Sequence, residues 1–285
     1  MIMKRLLVCL ASLALLVPLW GQGRVSTRKY IVSDFTDKIT QVVLTGNDVM
    51  DSALRTEISN NWTASAFEFC TLEKFEQLKS NSQYYFLLPA ESRFKGEENP
   101  GILFLSLLKG DPDAAKGIGE MTDIISLPLC AAMGGSGREL IYLGAVVKSI
   151  QEFTLAAMES EKVAYAKTLW FNENYAKYGK MKQIYLARED LAESVTEKDL
   201  ERYLDADIFL VDESKVDEVY LRGDYNTLVS YTVAPVVPEE KSSYCYKLLF
   251  EADTHTLFYI HRHKITPKFG EGFLVEDLKR LARKR

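Results

Sequence analysis

The sequence predicts an α/β protein made of two tandem, similar α/β domains. Each is expected to run β-α-β-α-β-β-β-α around a mixed, mostly parallel sheet with an antiparallel hairpin. Three observations predict this. Short β-branched or aromatic runs alternate with amphipathic stretches, as in crossover-connected strands. The same succession of elements occurs twice in the 285 residues. The composition, 47% hydrophobic and 26% charged, suits ordinary cores and excludes a disordered, collagen-like or coiled-coil chain.

In the first copy, Gln41 to Thr45 reads as a β-branched strand. Asn47 and Asp48 can cap a helix reaching about Asn60, with Val49, Ala53, Leu54 and Ile58 on its apolar face. Phe67 to Cys70 is a short strand, Thr71 to Leu78 an amphipathic helix, and Tyr84 to Leu88 an aromatic-rich strand. A polar loop with Gly96 and Pro100 leads to strands at Ile102 to Leu108 and Asp123 to Leu129, separated by an extra segment, Asp111 to Thr122. A helix starts near Gly137, and its apolar residues from Leu140 to Phe153 lie on most sides, so it should be buried.

The second copy repeats the plan. Gln183 to Ala187 is a strand, and Thr196 opens a helix carrying Leu200, Tyr203 and Leu204. Glu197 and Asp199 in its first turn suit the helix macrodipole. Asp207 to Val211 is a strand, Asp212 to Val219 a helix, and Tyr225 to Tyr231 a strand. Strands at Tyr244 to Glu251 and Leu257 to Lys264 flank a turn at Asp253-Thr254-His255, and a last helix runs from about Leu274 to Arg283. Residue identity between the copies is low, so the match is one of pattern. The expected boundaries are 24–160 for the first domain, 161–181 for a bridging helical segment and 182–285 for the second.

Residues 1–21 read as a secretory signal peptide. Lys4 and Arg5 precede the apolar run from Leu6 to Leu16, Pro18 breaks it, and small Gly21 suits cleavage before Gln22. The run is too short for a stable span, which needs about 20 apolar residues. No span is expected after cleavage, and none of the later stretches reaches membrane length. Removing the leader leaves 33 basic residues against 40 acids, a net charge of −7. That charge disfavours anionic partners and excludes the basic footprint of a nucleic-acid binder. Cys70, Cys130 and Cys245 remain after Cys9 is lost; three buried thiols are the plain expectation, with a Cys70–Cys130 bridge as the alternative.

Two constellations carry possible chemistry. Met133-Gly134-Gly135-Ser136-Gly137-Arg138 follows a strand and opens a helix, so its backbone amides could bind an anionic ligand. It lacks the Lys-Ser/Thr of a P-loop, the dinucleotide glycine spacing, and the second glycine of a nucleophile elbow. A plain flexible turn is the simpler expectation. His255, His261 and His263 all fall in the last hairpin, and His261 and His263 share one strand face as two metal ligands would. If Ala252 pairs with Leu257, His261 lies opposite Leu248 and His263 opposite Tyr246, with no acid nearby to close a metal site. Two imidazoles packed on a half-buried strand are then the simpler expectation. Tyr165, Trp170, Phe171, Tyr175 and Tyr178 could form a binding surface, but their spacing also suits plain packing of the bridging segment.

Asn61-Trp62 followed by Phe67-Glu68-Phe69 and Tyr84-Tyr85-Phe86-Leu87-Leu88 carries a family resemblance. So does the ending from Cys245-Tyr246-Lys247 through His263-Lys264-Ile265 to Gly272-Phe273-Leu274-Val275-Glu276-Asp277-Leu278. On these stretches the chain resembles a loose group of exported proteins of Bacteroidetes-type bacteria, as does a mature chain beginning with glutamine. The resemblance implies export to the periplasm or cell surface of a Gram-negative bacterium. It implies no activity, cofactor or catalytic residue. The expectation is therefore a non-enzymatic envelope module without a cofactor, holding an envelope protein, glycan or small ligand between its two domains. The alternative is a metal-dependent or hydrolytic envelope enzyme using the histidine hairpin or the Gly134–Gly137 turn.

Overall fold

A computed structural model describes residues 28–239 and 242–282. The signal-peptide reading at residues 1–21, Cys9 and the terminal Arg283-Lys284-Arg285 lie outside the described residues. The elements follow in order: α1 (Arg28–Val32), β1 (Ile39–Leu44), α2 (Asp48–Asn61), β2 (Phe67–Thr71), α3 (Leu72–Leu78), β3 (Tyr84–Ser92), β4 (Ile102–Lys109), β5 (Thr122–Ala131) and α4 (Arg138–Glu159). Next come α5 (Glu161–Ala166), α6 (Asn172–Tyr178), β6 (Gln183–Ala187), α7 (Glu197–Tyr203), β7 (Ile208–Val211) and α8 (Glu213–Arg222). The series closes with β8 (Thr227–Val233), β9 (Tyr244–Glu251), β10 (Leu257–Lys264) and α9 (Val275–Leu281).

Two five-stranded sheets result, ordered β2-β1-β3-β4-β5 and β7-β6-β8-β9-β10. In each, the first three strands are parallel and the last two add an antiparallel hairpin. The α/β duplication expected from the sequence is therefore the fold. Local chemistry explains the helix starts. The Asn47 side chain accepts from the Val49 and Met50 amides, Thr71 accepts from Lys74, and Thr196 forms a reciprocal capping box with Asp199.

Strand order dictates which face each helix covers. The chain steps from β1 outward to β2, then back across β1 to β3. Right-handed crossovers in opposite directions put α2 and α3 on opposite faces. Accordingly Leu54 and Ile58 of α2 join Val42 in one cluster, and Phe75 of α3 joins Val43 in another. The second half obeys the same rule with α7 and α8.

The halves do not meet through equivalent faces. The α2/α4 face of the first sheet packs against the α8 face of the second, and one hydrophobic cluster runs through both. The layers are α3, first sheet, a shared layer of α2, α4 and α8, second sheet, then α7 and α9. Tyr142 of α4 is fully buried and stacks within 4.5 Å of Tyr220 and Tyr231 of the second half. Where no helix intervenes the sheets touch directly, Phe104 of β4 against Tyr246 of β9. Ala114 and Met121 of the extra segment help α3 close the outer face of the first sheet.

α4 corrects one expectation from the sequence: at 22 residues it is long and apolar enough to cross a bilayer. It is a core helix, with 67% of its most apolar window buried. The bridging segment is not one helix either. It breaks at Lys167, whose φ of 48° ends α5. The bend lets Phe171 enter the core while Asn172 donates to the Ile260 carbonyl and accepts from the Ile260 amide. Asn174 donates to the Leu257 carbonyl in the same way. A straight helix could not both fill the core and cover the open edge of β10. Of its aromatics, Phe171 and Tyr175 are buried and Trp170 packs on the core, whereas Tyr165 and Tyr178 are exposed.

Candidate functional site: an acidic cleft between the two halves

The cleft opens at the carboxyl ends of the parallel strands β6, β7 and β8. There the chain leaves β6 toward β7 on one side and returns to β8 on the other, which is where open α/β sheets form a crevice. It has a volume of about 640 Å³. Glu189, Asp190 and Glu193 follow β6, Glu213 opens α8, and Thr232 to Pro235 leave β8. Gly134, Ser136 and Arg138 of the first half roof it, and Gly270 to Gly272 form a wall.

Arg138 fixes the first half to the second. Its guanidinium donates to both carboxylate oxygens of Asp217 at 2.9–3.1 Å, to Glu213 at 2.9 Å and to the Ser230 carbonyl. Asp190 stands 3.6 Å away and accepts from the Ser230 hydroxyl. The Tyr142 hydroxyl also donates to Asp217. Burial raises the Asp190 carboxyl, and Arg138, too distant for a hydrogen bond, only partly offsets this. Burial likewise raises Glu213 against the pull of Arg138. The surrounding carboxylates hold the Arg138 guanidinium charged despite its burial.

Gly134, Ser136 and Arg138 of the Gly-rich turn line the cleft, whereas Gly135 and Gly137 lie outside its lining. The Gly137 amide donates to Glu139, and the Arg138 amide to the Ser136 hydroxyl. A side chain on Gly135 would meet the Glu139 carboxylate at 2.3 Å. Two of the turn's amides thus have acceptors on neighbouring side chains, which withdraws them from an anion. Arg138, its one cation, is already bonded to carboxylates. Five carboxylates, Glu189, Asp190, Glu193, Glu213 and Glu271, line the cleft against that single guanidinium among the described residues. Partial desolvation and the like charge of Glu193 raise the Glu271 carboxyl. The field favours a cation.

The histidine hairpin lies elsewhere and pairs differently. Leu257 lies opposite Phe250, and a register shift before Tyr259 sets His261 opposite Lys247 and His263 opposite Cys245. One residue of slip exchanges the faces. The imidazoles thus meet Lys247, not Leu248 and Tyr246, and an acid is present after all: Asp277 from α9. Lys247 is fully buried, 3.1 Å from Asp277 and 2.6 Å from His263 Nδ1. His263 Nε2 is 2.7 Å from the Gly270 carbonyl, and His261 Nδ1 is 3.2 Å from Asp277. Asp277 also accepts from Tyr259 and the Leu274 amide, and it stays ionised because His261, Lys247 and these donors outweigh its burial. Both ring nitrogens of His263 are engaged, and no group of three or more metal-ligating side chains occurs among the described residues. His255 stacks on Tyr220, away from the pair.

Among the described residues no imidazole lines the cleft, so the hairpin histidines do not reach Ser136 there. Cys130 does line it, but burial pushes its thiol to about 12. Cys70, Cys130 and Cys245 are all free and buried. A Cys70–Cys130 bridge does not form because β2 and β5 are opposite edges of one sheet. The residues that sequence reasoning missed are Glu189, Asp190, Glu193, Glu213, Asp217 and Glu271 around the cleft, and Lys247 and Asp277 beside the histidines. Asp190 had a usable signal, an acid just past a parallel strand at a reversal of strand order. Compared with protein-family models, curated proteins and solved structures, the chain matches none.

Proposed function

We propose that this is an exported, non-enzymatic binding module of the cell envelope whose ligand sits in the cleft between its two halves. The supporting observation is the cleft's charge: five carboxylates and one guanidinium, already committed, at the carboxyl ends of β6–β8. The ligand is a cation, either a small ammonium or guanidinium compound or a basic side chain of an envelope protein. Exposed Met133, Val236 and Val237 lie beside the opening and suit the apolar part of such a ligand.

Calorimetric titration with spermidine, a lysine-rich peptide and inorganic phosphate tests this. The two cations are expected to bind and phosphate not to. Removing two rim charges with Glu193→Gln and Glu271→Gln, neither of which pairs with Arg138, should weaken cation binding by about tenfold. Spermidine tighter than the peptide marks a small-molecule site, and the reverse marks a protein partner. Phosphate binding with no response to either cation would overturn the reading.

A further inference from the structure

The loop between β10 and α9 supplies a wall of the cleft through Ile265, Gly270, Glu271 and Gly272. The Ile265 amide donates to the Ser243 carbonyl and the Ala192 amide to the Phe273 carbonyl at its two ends, and three further contacts hold it. The Phe273 amide donates to the Asp190 carbonyl at 2.7 Å, and the Gly272 amide to Cys245 Sγ at 3.1 Å. Gly272 has a φ of +97°, and a side chain there would meet Asp190 and Ala192 backbone at 2.6 Å, so the approach requires glycine. The third contact joins the Gly270 carbonyl to His263 Nε2.

Only the third contact titrates near neutrality. Donation to Gly270 fixes the tautomer with hydrogen on Nε2, so Nδ1 carries the lone pair that accepts from Lys247. A second ring proton would occupy that lone pair and set two cations 2.6 Å apart. We propose that His263 is a proton-released latch: on taking up a proton at Nδ1 it keeps its Nε2–H donation to Gly270 but is repelled by Lys247, so it swings away and draws Gly270 and the wall with it, and the cleft releases its ligand in mild acid. The release step rests on the reading of the cleft as a ligand site.

The groups facing His263 agree with this. From β9 come Lys247 and Cys245, whose thiol burial pushes to about 12, so it stays neutral. From β10 come His261 and Tyr259, and from α9 Asp277 and Arg280. Asp277 is shared by His261, Lys247, Tyr259 and Arg280 and stays ionised, so it does not take the proton instead. Burial and Lys247 lower the His263 imidazole from 6.5. A lowered base stabilises the fold fully above its unfolded value, and that support is lost as pH falls below it. The window thus opens below 6.5.

Hydrogen exchange on the full chain, corrected for intrinsic rates, tests the latch near pH 7.5 and near pH 5. Residues 266–273 are expected to exchange about tenfold faster in acid, while β1–β3 stay protected. His263→Gln, which can accept from Lys247 and donate to Gly270 without titrating, should abolish the difference. In nuclear magnetic resonance titrations the wild-type His263 midpoint should lie below 6.5 and rise in Lys247→Met. Equal protection at both pH values, or an unchanged response in His263→Gln, would overturn the latch. Spermidine titrations at the same pH values separate the two readings. A wall that loosens while spermidine binds at neither pH supports the latch and removes the cation. Spermidine binding to a wall indifferent to pH does the reverse.

Discussion

Replacing Arg138 by methionine is expected to destabilise the protein by about 3–5 kcal/mol, the usual cost of removing one partner from a buried ion pair. Methionine fills similar space, so the loss reports charge. It strands Asp190, 3% exposed, and Asp217, whose side chain is 14% exposed. Glu213 has a side-chain exposure of 39% and adds little after solvent screening. The loss should shrink in acid, because protonated carboxyls no longer need a cation and burial already raises Asp190 and Glu213. Urea denaturation across the pH range measures this. A midpoint equal to the wild type at neutral pH would show that Arg138 does not join the halves.

Asp277→Ala is the second large expected effect, again about 3–5 kcal/mol. It leaves the Lys247 ammonium, 0% exposed, without its counter-ion. It also removes the acceptor for Tyr259 and for the Leu274 amide at the start of α9. Asp277→Asn retains hydrogen-bonding capacity and should cost less, about 1.5–3 kcal/mol. The Asp277 carboxyl lies well below the usual carboxylate range, so its contribution persists above that range and is lost only in strong acid. Denaturant midpoints of both variants, measured near neutrality, check the order. A milder effect from alanine than from asparagine would contradict it.

What the sequence made legible was local. Asn47 and Thr196 announce helix starts through their own side chains, and the strands and helices expected within the two copies coincide with the observed ones, whereas α1 was not expected. The break at Lys167 was not legible, because it answers to the distant edge of β10 through Asn172. Nor was the register of the last hairpin. A slip of one residue leaves every residue type in place yet moves His261 and His263 from Leu248 and Tyr246 to Lys247 and Cys245. The cleft was half legible. The turn at Gly134–Gly137 marks its place, but the sign of its charge comes from Glu189, Asp190, Glu193, Glu213 and Glu271, which only the folding of the second half gathers there.

A cleft built from both halves requires the two copies to be one folded unit, with α4 and α8 in a shared layer and Arg138 across the cleft. Differential scanning calorimetry of the full chain tests this most directly. The expected result is a single transition whose calorimetric and van't Hoff enthalpies agree, moved to lower temperature as a whole by Arg138→Met. Two separable transitions, with Arg138→Met shifting neither or only one, would contradict it.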